Sequence, residues 1–153
     1  MPAHTIRAAT AYDEDVFTWS QEQAAALRRL AADRVNLPEP VDLLSIAEEI
    51  ESLGNSQWRE LGSRYLVILT HLLKWRHQPG KRSKSWRATL TTQRREIESL
   101  LRFSPGLKPK RADELHLAYS RARQDAASQT GLPLTTFPET CPFTVEQVES
   151  EEF

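Results

Sequence analysis

Residues 42–77 read DLLSIAEEIESLGNSQWRELGSRYLVILTHLLKWRH. Leu43, Ile46, Ile50, Leu53, Trp58, Leu61, Tyr65, Ile68, Leu72 and Trp75 recur at helical spacing, which puts one apolar stripe along a single helix face. Asp42 stands where an N-cap is wanted, and Ser45 and Glu48 repeat a capping-box spacing one turn later. Two readings meet at Gly54-Asn55-Ser56. Either these residues stop one helix and cap the next, or one long helix kinks there. Because the apolar phase survives both Gly54 and Gly62, the expectation is one long helix over 42–77, kinked at Gly54-Asn55-Ser56 and about 54 Å in length at 1.5 Å per residue.

Working outward, Gln78-Pro79-Gly80 ends this helix by removing a donor and relaxing the backbone. On the N-terminal side, Pro38 and Pro40 make an extended connection to a first helix over 10–34. That helix is expected to be capped by Thr10, with Asp13 as box partner and Val16, Ser20, Ala24, Leu27 and Ala31 along its stripe. A third helix over 83–103 starts at Ser83 or Ser85, carries Trp86, Leu90, Gln93, Ile97 and Leu100 on one face, and closes at Ser104-Pro105-Gly106. A fourth over 109–130 opens on Pro109 and stops at Gly131. Pro133, Pro138 and Pro142 then forbid a regular helix, so 131–153 reads as a tail that Phe137 and Phe143 dock against the helices. Thr144 and Gln147 can cap a short last helix over 144–150. With only 5 glycines and no run alternating apolar with polar residues, the fold class is all-α. The expected architecture is a compact bundle of about four main helices around a long central one, in a single domain over 1–153 with 1–9 as an N-terminal extension. Leu43, Ile50, Leu61, Ile68, Leu72, Trp75, Trp86 and Ile97 share the inward phase and form the expected core.

The strings EEIESLG at Glu48, HLLKW at His71 with Gln78-Pro79 after it, SW at Ser85, QRREI at Gln93, TGLP at Thr130 and CPF at Cys141 come in one order along the chain. In these strings the sequence resembles the bacterial family catalogued as domain of unknown function twenty-nine, over about Tyr12 to Val148. Asn55 to Gln57 depart from it, since the family is more basic there. The resemblance implies a compact all-helical bacterial protein and brings no activity, cofactor or site residue with it.

Composition narrows the function classes. Hydrophobic residues make up 39% and charged residues 27%, a balance suited to a folded protein in water. No stretch approaches the roughly 18 apolar residues of a membrane span, and the N-terminus lacks a signal-peptide pattern. The single Cys141 has no second thiol to pair with, so a reducing cytoplasm is the expected location. The net charge of −1 hides a segregation: residues 1–63 sum to −6, residues 64–111 to +11 and residues 112–153 to −6.

The basic run from Lys74 to Arg95 interleaves cations with Trp75, Trp86, His71 and His77, the composition of a surface that contacts phosphates and stacks on bases. Arg76, His77, Lys81, Arg82, Lys84 and Arg87 are the candidate residues for binding a macromolecule or an anion. Against this stands a structural account, in which both tryptophans lie in the core and the cations pair with Glu48, Glu49 and Glu51 on an antiparallel acidic helix. Glu-x-x-His and His-Glu-x-x-His spacings are absent, so no metal or cofactor is expected, and His71 and His116 read as hydrogen-bonded core histidines. Cys141 lacks a base beside it in sequence, and no catalytic residue stands out. The expectation is a non-enzymatic binding module, with an enzyme whose site the sequence does not reveal as the second alternative after nucleic-acid binding. Its partner would be another protein or a second copy in a dimer, because the central helix has more apolar length than its shorter neighbours can cover. Nucleic acid is the alternative partner, with mixed-sequence DNA or RNA expected to bind no tighter than about 10⁻⁴ M at physiological salt.

Overall fold

The computed structural model describes residues 9–33 and 36–150. Its central element, α2 (Leu43–His77), is one helical run of 35 residues that passes through Gly54 and Gly62 without a break. Asp42 caps it, accepting from the Ser45 backbone N–H and from the Ser45 hydroxyl, so that Ser45 serves the first cap and does not start a second. Gly54 is kept for packing. Helix α1 (Val16–Ala32) crosses there so closely that a Cβ on Gly54 would collide with Ser20 Oγ and lie 3.1 Å from Ser20 Cβ.

Helix α1 starts later than residue 10. Asp15 is its N-cap, accepting from the Thr18 backbone N–H at 3.0 Å, while Thr10 donates through its backbone N–H and hydroxyl to the Glu22 carboxylate. Asp15 outcompetes Thr10 because its second oxygen also accepts from Gly106 N–H at 2.7 Å, tying the start of α1 to a distant turn. The helix ends at Ala32, and Arg34 of the expected 10–34 span lies outside the described residues.

Helix α3 (Lys84–Phe103) is capped by Ser83, and Ser104 closes it. A 3-10 turn over Pro105–Lys110 takes up Pro109, so α4 (Arg111–Thr130) begins two residues later than expected. Gly131, at φ +72, ends α4 in the left-handed region where a side chain would be strained. In the tail, α5 (Val145–Glu149) carries a complete capping box between Thr144 and Gln147. Among the described residues there are five α-helices and no strand.

Antiparallel to α2, α1 packs its Ser20 on Gly54, its Phe17 edge-on to Trp58, and its Arg28 against Glu51 at 2.7 Å. The other flanks of the C-terminal half of α2 take α3, antiparallel, and α4, parallel. Arg64 donates to Gln93 of α3 at 3.2 Å, Trp58 Nε1 to Glu114 of α4 at 2.5 Å, and Lys74 to Gln129 near the end of α4. The core between them is Leu61, Tyr65, Ile68, Leu69, Leu73, Leu90, Ile97, Leu115, Tyr119 and Ala122, closed off by Phe137 and Val148 from the tail. Tail docking is specific: Tyr119 OH donates to Pro138 O, Arg123 Nε to Phe137 O, and Tyr65 OH to Glu149.

Four residues of the expected core are set differently. Leu43, Ile50, Trp75 and Trp86 are only half-buried, and Ile46 and Leu53 of the same stripe are exposed at 42% and 41%. For the residues N-terminal to Gln57 the cause is helix length. Ser104, just past the end of α3, donates to Gln57 of α2. The α2 stripe N-terminal to Gln57 therefore has no α3 beside it, and α1 with the first half of α2 projects as a two-helix extension. On α3, Arg94 takes the inward position expected for Gln93 and is 4% exposed, with its Nε donating to Val148 O at 2.9 Å. His116 is exposed beside the exposed Leu117, which corrects its reading as a core histidine.

Candidate functional site

Two surfaces stand out, one at each end of α2. The C-terminal one is the turn from α2 into α3. Lys74, Arg76 and His77 occupy the last turn of α2, where cations suit the carbonyl end of the helix dipole. Pro79–Lys81 form a short 3-10 turn, and Ser83 accepts from Trp86 N–H to open α3. Lys84 and Arg87 then sit in the first turn of α3, where the dipole favours carboxylates and none is present. At the start of α3, positive charge is gathered against local preference.

Aromatic rings hold these cations. Arg82 lies over the Trp75 ring at 5.0 Å and donates through Nε to Trp75 O at 2.9 Å, and Arg87 lies over the same ring at 5.6 Å. Lys74 lies over Trp86 at 4.6 Å and Arg76 over Phe143 of the tail at 4.5 Å. Such contacts orient a cation while leaving its charge unneutralised. Among the described residues no carboxylate forms an ion pair with Arg76, Lys81, Arg82 or Lys84. Arg76, Lys81, Arg82, Lys84 and Arg87 are exposed, and His77 is half-buried, edge-on to Phe137 at 5.0 Å. Burial and then the Arg76 charge hold His77 below its ordinary imidazole range, and burial does the same for His71, whose Nδ1 bonds Val67 O at 2.8 Å. The expected pairing of this segment with Glu48, Glu49 and Glu51 does not occur. Those carboxylates lie near the other end of the same helix, and Glu51 bonds Arg28 instead.

The N-terminal surface is the extension. Ile46, Ile50 and Leu53 line the flank of α2 that α3 covers further along. A groove of about 540 Å³ runs beside Pro40, Val41, Ile46 and Ile50. Leu44 is 57% exposed elsewhere on the extension, and Phe103, in the last turn of α3, is 59% exposed. Acidic residues border this surface: residues 39–51 contain Glu39, Asp42, Glu48, Glu49 and Glu51 and no Lys or Arg.

Two clefts bear on catalysis. One of about 260 Å³ brings His116, Tyr119 and Cys141 to a shared wall. Burial pushes the Cys141 thiol up, outweighing the opposing hydrogen bond at Phe143, so the thiolate a nucleophile requires is disfavoured. The other, about 500 Å³, is lined by Arg94, Arg95, Ile97, Leu101, Arg102 and Lys108, and the sequence reading passed over it. The spacing Leu90, Arg94, Ile97, Leu101 was the available signal, since it sets Arg94 on the inward face. Arg102 there bonds Glu98 at 3.1 Å, and the neighbouring Glu149 bonds Arg111 and Tyr65. Among the described residues no cluster of three His, Cys, Asp or Glu could hold a metal ion.

The sequence matches the family described as domain of unknown function DUF29 over residues 11–153. A solved structure, an α-helical protein of unknown function from Rhodospirillum rubrum, is similar at 27% identity and a TM-score of 0.71, covering 94% of this chain and 92% of that one. No curated protein matches.

Proposed function

The chain belongs to the domain of unknown function DUF29 family, for which no activity is established, and from its surfaces we propose that it is a helical assembly module that works by association and not by catalysis. One observation carries this reading: the apolar stripe of α2 continues past the end of α3, leaving Ile46 and Leu53 exposed on a projecting pair of helices. A contiguous apolar face on a soluble protein marks a place where another polypeptide packs. A helix is the natural occupant, since α3 already occupies the same flank one step further along. A second copy is the partner proposed. A bacterial, cytoplasmic setting belongs to the same proposal, supported by the lone cysteine and the bacterial structural neighbour, and cell fractionation checks it.

Sedimentation equilibrium at micromolar concentration tests the association, comparing the protein with the double variant Ile46→Asp, Leu53→Asp. Both side chains are exposed, so the variant is expected to keep the circular dichroism of the parent. The parent should associate and the variant should be monomeric. A monomeric parent would overturn the proposal.

A further inference from the structure

We propose that a second copy of this chain docks antiparallel, so that the acidic extension of each copy seats on the basic end of the other. The inference rests on the assembly reading above and adds the partner surface and its orientation.

The two charged ends do not meet within one molecule. Residues 39–51 hold five carboxylates and no cation, and residues 74–87 hold six cations and no carboxylate. Both belong largely to one helix, α2, and to the turns at its two ends. Glu49 and Arg76 are 27 residues apart on that helix, about 40 Å at 1.5 Å per residue. The screening length is about 10 Å at 0.1 M salt, so the two patches do not neutralise each other within one chain. A helix unbroken from Leu43 to His77 also gives the chain no hinge to fold one end onto the other.

Each patch has the chemistry that the other lacks. The extension offers Glu39, Glu48 and Glu49, exposed and outside any ion pair among the described residues, and of these Glu49 lies beside the apolar Ile46 and Ile50. The basic end offers exposed Lys81, Arg82 and Lys84 beside the half-buried indoles of Trp75 and Trp86. Area points the same way. From Leu43 to Gln57 the stripe is about 21 Å long and about 10 Å wide, a footprint of about 200 Å². A stable interface buries about 800 Å² per partner, so the stripe alone is insufficient. An antiparallel pair uses the contact twice and closes on itself, whereas a head-to-tail contact repeats without limit.

Charge reversal in two variants provides the test. One carries Glu39→Lys, Glu48→Lys and Glu49→Lys, and the other Lys81→Glu, Arg82→Glu and Lys84→Glu, with circular dichroism confirming that each folds. Sedimentation should show the parent as a dimer whose dissociation constant rises about tenfold or more between about 0.05 M and about 0.5 M salt. Each variant alone should be monomeric, because the first changes the acidic end from −5 to +1 and the second changes the basic end from +6 to 0, so neither homodimer keeps a contact between opposite charges. Mixed together, they should form a one-to-one heterodimer, since one of its two contacts keeps the parental charges, −5 against +6, which neither variant has with itself. Association of either variant with itself at parental strength would overturn this inference while leaving the apolar stripe as the contact. Failure of the mixture to pair, or growth of the parent into open polymers, would overturn it as well. So would micromolar binding of mixed-sequence DNA by a monomeric parent, abolished by the second triple change, which would give the basic end to nucleic acid. Loss of association only in the Ile46→Asp, Leu53→Asp variant refutes the charge pairing and keeps the assembly reading.

Discussion

Replacing Gly54 by alanine should destabilise the protein, although alanine is the better helix former. In an exposed helix the exchange is worth about 1 kcal/mol in favour of alanine. Here the new Cβ would overlap Ser20 Oγ and approach Ser20 Cβ to 3.1 Å. The hydroxyl has little freedom to retreat, since Ser20 is fully buried and donates to Phe17 O at 2.7 Å. Relief then requires separating α1 from α2, and overpacking of this kind costs about 1–3 kcal/mol. The net loss should be about 1 kcal/mol, or about 2–4 °C in melting temperature for a chain of this size. Thermal unfolding followed by circular dichroism measures it. Gly62→Ala is the control, because its Cβ meets only the end of the Glu114 side chain, at 2.8 Å, so the helix-propensity gain should prevail there. Ser20→Gly should restore stability to the Gly54→Ala protein by giving back the space on the facing helix. If Gly54→Ala stabilises as much as Gly62→Ala, or if Ser20→Gly rescues nothing, then α1 does not cross α2 at this point and the extension is built differently.

Leu69→Ala, at a fully buried site, should cost about 2–5 kcal/mol in denaturant unfolding, whereas the exposed Leu53→Ala should change stability by less than about 0.5 kcal/mol. Equal losses at the two positions would mean that the extension is covered within the monomer. His71 should make the protein acid-sensitive. Burial holds its folded pKa below the ordinary 6.5, so as pH falls through that value the unfolded chain takes up the proton first and stability declines until the folded pKa is reached. His77 is shifted in the same direction. A melting-temperature series should show a smaller decline below pH 6.5 for His71→Gln, and an unchanged slope would count against the assignment.

Local signals along the chain were sufficient for much of the fold. Asp42, Ser83, Thr144 with Gln147, and Gly131 act where their residue types act in any helix, because a cap depends on a few neighbouring dihedrals and one side chain. The length of α2 was legible for the same reason, as an apolar phase that no proline interrupts. Where two local candidates competed, tertiary structure chose between them. Asp15 displaced Thr10 as the cap of α1 because Gly106, 91 residues away, adds a second bond to it.

Periodicity reports which residues share a face, and says nothing of what lies opposite that face. Ile46 and Ile68 belong to one stripe and are alike in sequence, yet one is exposed and the other buried. The difference is that α3 stops level with Gln57, an offset set by the packing of two helices. The same holds for the basic segment, whose residues 74–87 were identified from composition alone. That its cations rest on Trp75, Trp86 and Phe143 instead of on Glu48, Glu49 and Glu51 follows from the unbroken length of α2, which keeps its two charged ends too far apart to meet.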